Sequence, residues 1–453
     1  MEALSQIIAV IIFAAVFVAI IVGKVHRYIP ALIGAGLVVI LFLAVMRSPQ
    51  ALISTLNLAQ LGQLDFWIPL KKHVESHGIN WQTVIFIAGM MTMIEGLAAV
   101  GFFRWLCLFV AKLVHYRVVP LLVAFTLLSG FMAMFIDSIT VLLFLATVTV
   151  ELSRLLKFDP VPMIIAEIFA ANTGGSATMA GDPPNVIIGT SFGYNFTDFL
   201  VNTGPIAWAG MLASVVFFYF IFRKHLSAPQ SGNSLSSVNH YPEPGEAIAN
   251  RNSFIINAGI LLLVVVLLLT HAQTGISVAS IGVIAILTTL IAATNGALNV
   301  IKRIDWRTLL FFIGLFVCVG ALENTGVLNS MAVWVKSVSR GNFILVMTAI
   351  LWFSAFASAI VDNIPFAAAM VPVVRDLSVS AGFSLPALSW ALALGTDIGG
   401  NGTPIGASAN VVGTAIAQKE GYPIGWGRYM KYAMPAMIGV VGICQLLLMI
   451  RYT

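Results

Sequence analysis

Apolar runs long enough to cross a bilayer recur from Ser5 to Ile450, and a chain that places such runs in lipid has few folds open to it. A helical span takes about 20 apolar residues, and lipid offers the backbone amides no partner, so spans must be helices or a closed barrel. These runs are continuous rather than alternating, which excludes a barrel and leaves an all-α polytopic membrane protein. Only 9% of the residues are charged, against about 25% in an ordinary soluble domain. A soluble enzyme is thereby excluded. The net charge of +5 comes without any basic tract, so it reports loops on one face of a membrane and predicts no nucleic-acid partner. Cys107, Cys318 and Cys444 stand alone in apolar segments and predict core thiols, with neither a disulfide framework nor a metal cluster.

The first run, Ser5 to Val22, lacks a positive flank and a small-residue cleavage site, and a second run from Ile29 to Met46 follows at once. It reads as a retained span, not a signal peptide. A polar stretch from Arg47 to Asn80, with Lys71, Lys72, His73 and His77, contains a modestly apolar portion, 51–66, that could lie on the membrane surface. A linker rich in Ser, Pro, Asn and Gly occupies 225–252 and divides the chain into halves, 1–224 and 253–453.

The halves are copies. Adding 225 to a residue number carries Trp81 to Trp306, Gly89 to Gly314, Asp137 to Asp362, Gly174-Gly175 to Gly399-Gly400, Thr178 to Thr403, Gly181 to Gly406 and Asn185-Val186 to Asn410-Val411. Generic likeness between apolar helices would not align Asp, Asn and paired Gly without a gap. In the first half a long helix is expected from about Trp81 to Val114. Two arms of about 15 residues, Pro120–Phe135 and Thr140–Leu155, then flank Asp137, too short for the roughly 20-residue span, and predict a re-entrant hairpin. A half-helix, Pro162–Ala171, leads into NTGGSATMAGDPPN (Asn172 to Asn185), where Gly174-Gly175, Gly181 and Pro183-Pro184 predict a broken helix. Helix is expected to resume at Val186, and Ile206–Phe222 is the last span.

The count is about ten transmembrane helices plus two re-entrant hairpins and two broken helices. Five spans per half is an odd number, so the second copy should enter upside down as an inverted-topology repeat. Of the 23 Lys and Arg, Arg47, Lys71, Lys72, Lys336, Arg340, Arg375 and Arg451 fall on one side, Arg104 lies within a helix, and the other fifteen collect opposite. By the positive-inside rule both termini lie outside and the linker is cytoplasmic, in a plasma membrane, the inner one in a bacterium.

Inverted repeats with broken helices put substrate and ion sites near the midplane, where unwound backbone and helix ends meet. The repeat names the candidates. At the hairpin tips they are Asp137, Ser138 and Thr140, with Asp362 and Asn363. In the broken helices they are Asn172, Thr173, Gly174, Gly175, Thr178, Asp182 and Asn185, with Asp397, Gly399, Gly400, Asn401, Thr403 and Asn410. An Asp at a span's centre costs about 2.5 to 3.5 kcal/mol on insertion scales, so Asp137 and Asp362 should be retained for a cation such as Na⁺, a proton or an ordered partner. Each could equally cap the following helix. The glycines read as unwound backbone facing a ligand, although small residues also serve close helix packing. Asp182 and Asp397 are not repeat partners: Asp397 matches Asn172 and Asp182 matches Ala407, an asymmetry that could separate an ion site from a substrate site. Glu95, Glu167 and Glu323 read as carboxylates paired within the bundle or near helix ends. The Trp residues read as interfacial anchors, and the histidines, at helix ends and in loops, offer no proton relay. An intramembrane aspartyl protease would need a GxGD motif, whereas this chain has Met179-Ala180-Gly181-Asp182. A passive channel would not require hairpins and broken helices at matched positions.

At GDPPNVII (Gly181 to Ile188), VDNIPF (Val361 to Phe366) and GGNGTPIGASANVV (Gly399 to Val412) the chain resembles the ion transporter superfamily, over about residues 80 to 450. The resemblance is to the branch of arsenite permeases, NhaD-type sodium/proton antiporters and P-protein-like permeases, with a citrate-transporter-like domain. It implies no enzyme but an elevator-type carrier, a homodimer in membrane lipid, with no cofactor and with H⁺ or Na⁺ as coupling ion. Dicarboxylate and citrate carriers of the superfamily have a Ser-Asn-Thr pattern at their hairpin tips, and this chain departs from it. Several aspartates with no Lys or Arg nearby suit a small inorganic ion or neutral hydroxide better than a multivalent anion, although helix N-termini could hold a small anion. The leading expectation is proton-coupled efflux of arsenite or antimonite-like species. Na⁺(Li⁺)/H⁺ antiport comes next and Na⁺-coupled dicarboxylate or organic-anion carriage third. An ATPase partner is left open.

Overall fold

The computed structural model describes residues 2–68, 78–227, 241–327 and 341–452, and among them every regular element is helical. Lys71, Lys72, His73, His77, His240, Lys336 and Arg340 and the middle of the linker, 228–240, lie outside the described residues.

The first half comprises α1 (Glu2–Val22), α2 (Tyr28–Ile40), α3 (Pro49–Leu56), α4 (Trp81–Ala99), α5 (Phe102–Leu113), α6 (Val118–Ala133), α7 (Ser138–Leu156), α8 (Val161–Gly175), α9 (Pro183–Phe192), α10 (Phe196–Asn202) and α11 (Gly204–Ser227). The second comprises α12 (Arg251–Thr274), α13 (Val278–Ala293), α14 (Ala297–Arg303), α15 (Trp306–Asn324), α16 (Phe343–Ile360), α17 (Asn363–Ala381), α18 (Leu385–Gly399), α19 (Ser408–Lys419) and α20 (Trp426–Tyr452). Among the described residues nine helices are long and apolar enough to cross a membrane, and α6 and α13 are shorter apolar helices.

Three boundaries differ from the sequence expectation. The single helix expected over 81–114 is two, α4 and α5, because Gly101 turns into the left-handed region (φ +81°) with Ala247 O only 1.9 Å from where a Cβ would sit. The arms around Asp137 are unequal: α6 has 16 residues, but α7 has 19, since Asp137 caps it at the first turn and Lys157 ends it in a left-handed turn. Shortness therefore sets apart only α6; α16 and α17 have 18 and 19 residues. Finally, α8 runs on through Gly175, and the break is confined to Ser176–Asp182.

Packing repeats between the halves. Helix α2 lies on α15 as α13 lies on α4, so each half lends its second helix to the other. Helix α6 packs on α8 as α16 packs on α18, and α7 meets α19 as α17 meets α9. The core sits at α8 and α18: every residue of α8 is buried, as is α18 from Ala387 to Gly399. They are largely apolar, as central helices should be, but each carries buried polar residues, Glu167, Asn172 and Thr173 on α8 and Thr396 and Asp397 on α18. All three cysteines are free and buried. Trp306 and Trp426 are exposed, but Trp390 is buried against Tyr194 and Phe199, so it is core and not an anchor.

Candidate functional site

Glycines bring the broken helices together. A Cβ on Gly174 would stand 2.1 Å from Gly130 O on α6, and one on Gly399 would stand 2.3 Å from the Ala355 Cα on α16. Both glycines are helical, so the expectation of unwound, ligand-facing backbone fails for them, and for Gly175, which ends α8. Gly174 and Gly399 are packing surfaces, whereas Gly175 turns its carbonyl to the break. Gly400 alone, in a 3₁₀ turn over Gly400–Gly402, lies in the break itself.

The two breaks are built alike. The Thr178 hydroxyl donates to Met134 O as the Thr403 hydroxyl donates to Ala359 O, pinning each break to the end of the preceding hairpin arm. Asn185 Nδ2 donates to Gly175 O and Thr178 O, both at 3.1 Å, and Asn410 Nδ2 donates to Gly400 O and Thr403 O, both at 2.7 Å. Each asparagine spends both amide hydrogens on the carbonyls that its own break exposes. This answers the accounting that buried backbone demands.

Where the halves differ, the polar balance changes. Asn172 Nδ2 donates to Asn410 Oδ1 at 2.7 Å and to Asn401 Oδ1 at 2.9 Å. Asn401 Nδ2 in turn reaches the Thr173 hydroxyl at 3.3 Å and Phe169 O at 3.4 Å. On the other side of the repeat axis Asp397 stands where Asn172 does and faces Asn185, and a carboxylate has no N–H to give. Asp397 Oδ1 and Oδ2, Asn185 Oδ1 and Asn172 Oδ1 are all buried and lack a well-formed hydrogen bond among the described residues, although the Asn185 side chain stands in hydrogen-bonding range of Asp397 while its amide hydrogens go to Gly175 O and Thr178 O. Asp182 adds a further carboxylate in electrostatic range of Asp397, Asp362 and Asp137; it accepts from Asn363 Nδ2 at 2.9 Å. Unpaired buried oxygens on this scale are expensive, and a proton or a small cation supplies what they lack.

The hairpin-tip aspartates are more fully engaged. Asp137 caps α7, accepting from Thr140 N at 3.0 Å and the Thr140 hydroxyl at 2.8 Å, while Ser138 is the buried first residue of the helix. Asp362 caps α17 through Ile364 N at 3.1 Å. Its other oxygen accepts from Arg27 Nη1 at 2.8 Å and the Ser408 hydroxyl at 2.9 Å. A basic residue therefore does stand in the site, contrary to the sequence expectation. Arg27 carries no local sequence signal of this role, because it sits in a short loop 335 residues from its partner. The other carboxylates divide. Glu323 lies 3.9 Å from Arg375, as a paired carboxylate should. Glu95 lines a cavity of about 360 Å³ with Asn257 and Arg303. Glu167 has only the Thr149 hydroxyl, at 2.5 Å, and its Oε2 meets no donor among the described residues. Those residues contain no cluster of three or more His, Cys, Asp or Glu that could hold a metal.

A lipid-spanning helical bundle with paired broken helices and carboxylates at its centre is the architecture of a membrane transporter. The chain belongs to the citrate transporter family, whose model matches residues 17–395. It is 30% identical over 450 residues to a 46 kDa membrane protein of Mycobacterium leprae and 31% identical over 449 residues to an uncharacterized transporter of Mycobacterium tuberculosis, covering 99% of each chain in both cases. It is also 29% identical to the P protein of Mus musculus over 97% of this chain and 60% of that one. The YdaH transporter of Alcanivorax borkumensis shares the fold, with a TM-score of 0.60 at 13% identity over 90% of this chain and 89% of that one. The protein is thus an integral membrane transporter.

Proposed function

We propose that this transporter is a secondary, ion-coupled carrier whose coupling ion binds at Asp397, between the two broken helices, with Asp182 close by. The observation that carries the reading is the set of buried oxygens on Asp397, Asn185 and Asn172 without a well-formed hydrogen bond among the described residues. One site that takes either a proton or a small cation is what exchange requires, since each ion must displace the other. This favours Na⁺(Li⁺)/H⁺ antiport over the arsenite efflux to which the motif resemblance points. Arsenous acid could donate its hydroxyl hydrogens to the same oxygens, but it would leave the carboxylate charge unbalanced. Organic-anion carriage gains support from Arg27 and from the family's description as citrate transporters.

The test is proton movement in proteoliposomes carrying a trapped pH-sensitive dye and an imposed pH gradient. Separate additions of Na⁺, Li⁺, arsenite and citrate would follow. We expect Na⁺ or Li⁺ to collapse the gradient, and Asp397→Asn to slow this at least tenfold. Collapse by arsenite or citrate alone would overturn the antiport reading, and an unchanged Asp397→Asn rate would remove the ion from this site.

A further inference from the structure

Asp362 faces a cation that belongs to the protein. Arg27 precedes α2, which packs on α15. Its Nη1 donates to Asp362 Oδ2 at 2.8 Å and to the Ser408 hydroxyl at 2.9 Å, while Nη2 donates to the Thr308 hydroxyl at 3.2 Å. The Ser408 hydroxyl itself donates to the same Asp362 oxygen. The guanidinium also lies over the Phe311 ring, 5.1 Å from its centroid, which fixes its plane by a cation–π contact. Thr308 is held in turn by Asp305, which accepts both its backbone N–H and its hydroxyl.

The partners come from two parts of the molecule. Thr308 and Phe311 lie on α15 and Arg27 at the start of α2, one packed pair. Asp362 and Ser408 stand at the heads of α17 and α19, the hairpin tip and the resumed broken helix. The arginine thus ties the tip of the second hairpin to a helix pair outside it. It is partly buried: the Arg27 and Asp362 side chains keep 24% and 16% of their accessible surface. The oxygens gathered around the guanidinium, from Asp362, Ser408 and Thr308, are of the hard kind that an alkali cation also takes.

We propose that Arg27 is a tethered counterion: it neutralises Asp362 and latches the second hairpin tip to α2 and α15 until a transported cation displaces it. The competition rests on the cation-coupled reading above, whereas the latch does not. Substitution at Asp137, the repeat counterpart, should show no such competition, because Thr140 satisfies that carboxylate locally.

Two measurements on the full-length protein separate these claims. Hydrogen exchange over 360–366 reads the latch without any transport. We expect Arg27→Gln and Asp362→Asn each to speed it at least fivefold, the double variant to add nothing further, Arg27→Lys to fall between, and α4 to be unaffected. Unchanged exchange at the tip, or an additive double variant, overturns the latch. Acceleration spread over α4 as well would mean that the variant loosens the whole fold, and would overturn the latch equally. The half-saturating Na⁺ concentration for proton movement in proteoliposomes reads the competition. It should fall severalfold in Arg27→Gln, and an unchanged value overturns the competition. If the native protein moves no protons in response to Na⁺ or Li⁺, the cation-coupled reading fails, and the competition with it, while exchange at the tip still decides the latch.

Discussion

Asp397 and Asn172 occupy equivalent places in the repeat and differ by one nitrogen, and that difference decides what each can do. Asn172 closes a hydrogen bond to Asn410 at 2.7 Å; Asp397, facing Asn185, closes no well-formed one among the described residues. Replacing Asp397 by Asn should restore the missing donor and remove a buried charge. We predict that Asp397→Asn raises the unfolding midpoint in detergent without added Na⁺, by the equivalent of a hydrogen bond, about 0.5–1.5 kcal/mol, and abolishes any rise on adding Na⁺. A lower midpoint with the ion response intact would show that the oxygens are satisfied in some other way. Stability gained at the expense of function is the usual signature of a strained site. The sequence made Asp397, Asn172 and Asn185 visible, because the repeat placed an Asp opposite an Asn. It concealed Arg27: the partnership spans 335 residues, and the 225-residue register starts only after the helix that Arg27 precedes. Long-range ion pairs leave no periodic mark on a single sequence.

Helix ends were less legible than helices. Paired glycine beside Asn and Thr reads as broken backbone, yet Gly174-Gly175 ends a continuous α8 whose glycines allow α6 to approach. The same residue type serves both purposes, and only the neighbouring helix tells which. The contact also bears on energetics. In lipid, helices associate through close packing rather than through the hydrophobic effect, so a methyl group at the crossing forces them apart. We predict that Gly174→Ala and Gly399→Ala each destabilise the protein by about 1–3 kcal/mol, the range for overpacking. Gly400→Ala should cost less, since its Cβ would stand 3.0 Å from the Ala407 Cβ and 3.1 Å from Gly406 O, against 2.1 and 2.3 Å for the nearest atoms at Gly174 and Gly399. Thermal unfolding in detergent gives the order, and equal losses at all three positions would mean that the crossing is no tighter than the break. The capping aspartates show the converse. Asp137 and Asp362 cap α7 and α17 as their residue type predicts, and the sequence could place them before any partner was known.

The whole bundle is two copies that exchange helices: α2 crosses to α15, α13 crosses to α4, and the broken helices face each other at the centre. Such an exchange makes neither half a separate folding unit, because each lacks the helix that covers its own long span. Two copies of opposite orientation, the arrangement expected for an odd number of spans per copy, would pack in this way, and the orientation can be checked at one pair of equivalent turns. Lys157 ends α7 and Gly382 ends α17, both in the left-handed conformation and both exposed, 225 residues apart. In an inverted pair these turns lie on opposite faces of the membrane; in a parallel pair they share one. Because the three native cysteines are buried, a membrane-impermeant reagent does not reach them in the folded protein, and Lys157→Cys or Ser384→Cys can carry the reporter thiol. The positive residues around the first turn, Arg154 and Lys157, predict the cytoplasmic face for it. We therefore expect a membrane-impermeant maleimide to label Ser384→Cys in intact cells and Lys157→Cys only after permeabilisation. Labelling of both from the same side would remove the inverted arrangement, and with it the reading of Asp397 and Asn172 as counterparts on broken helices of opposite direction.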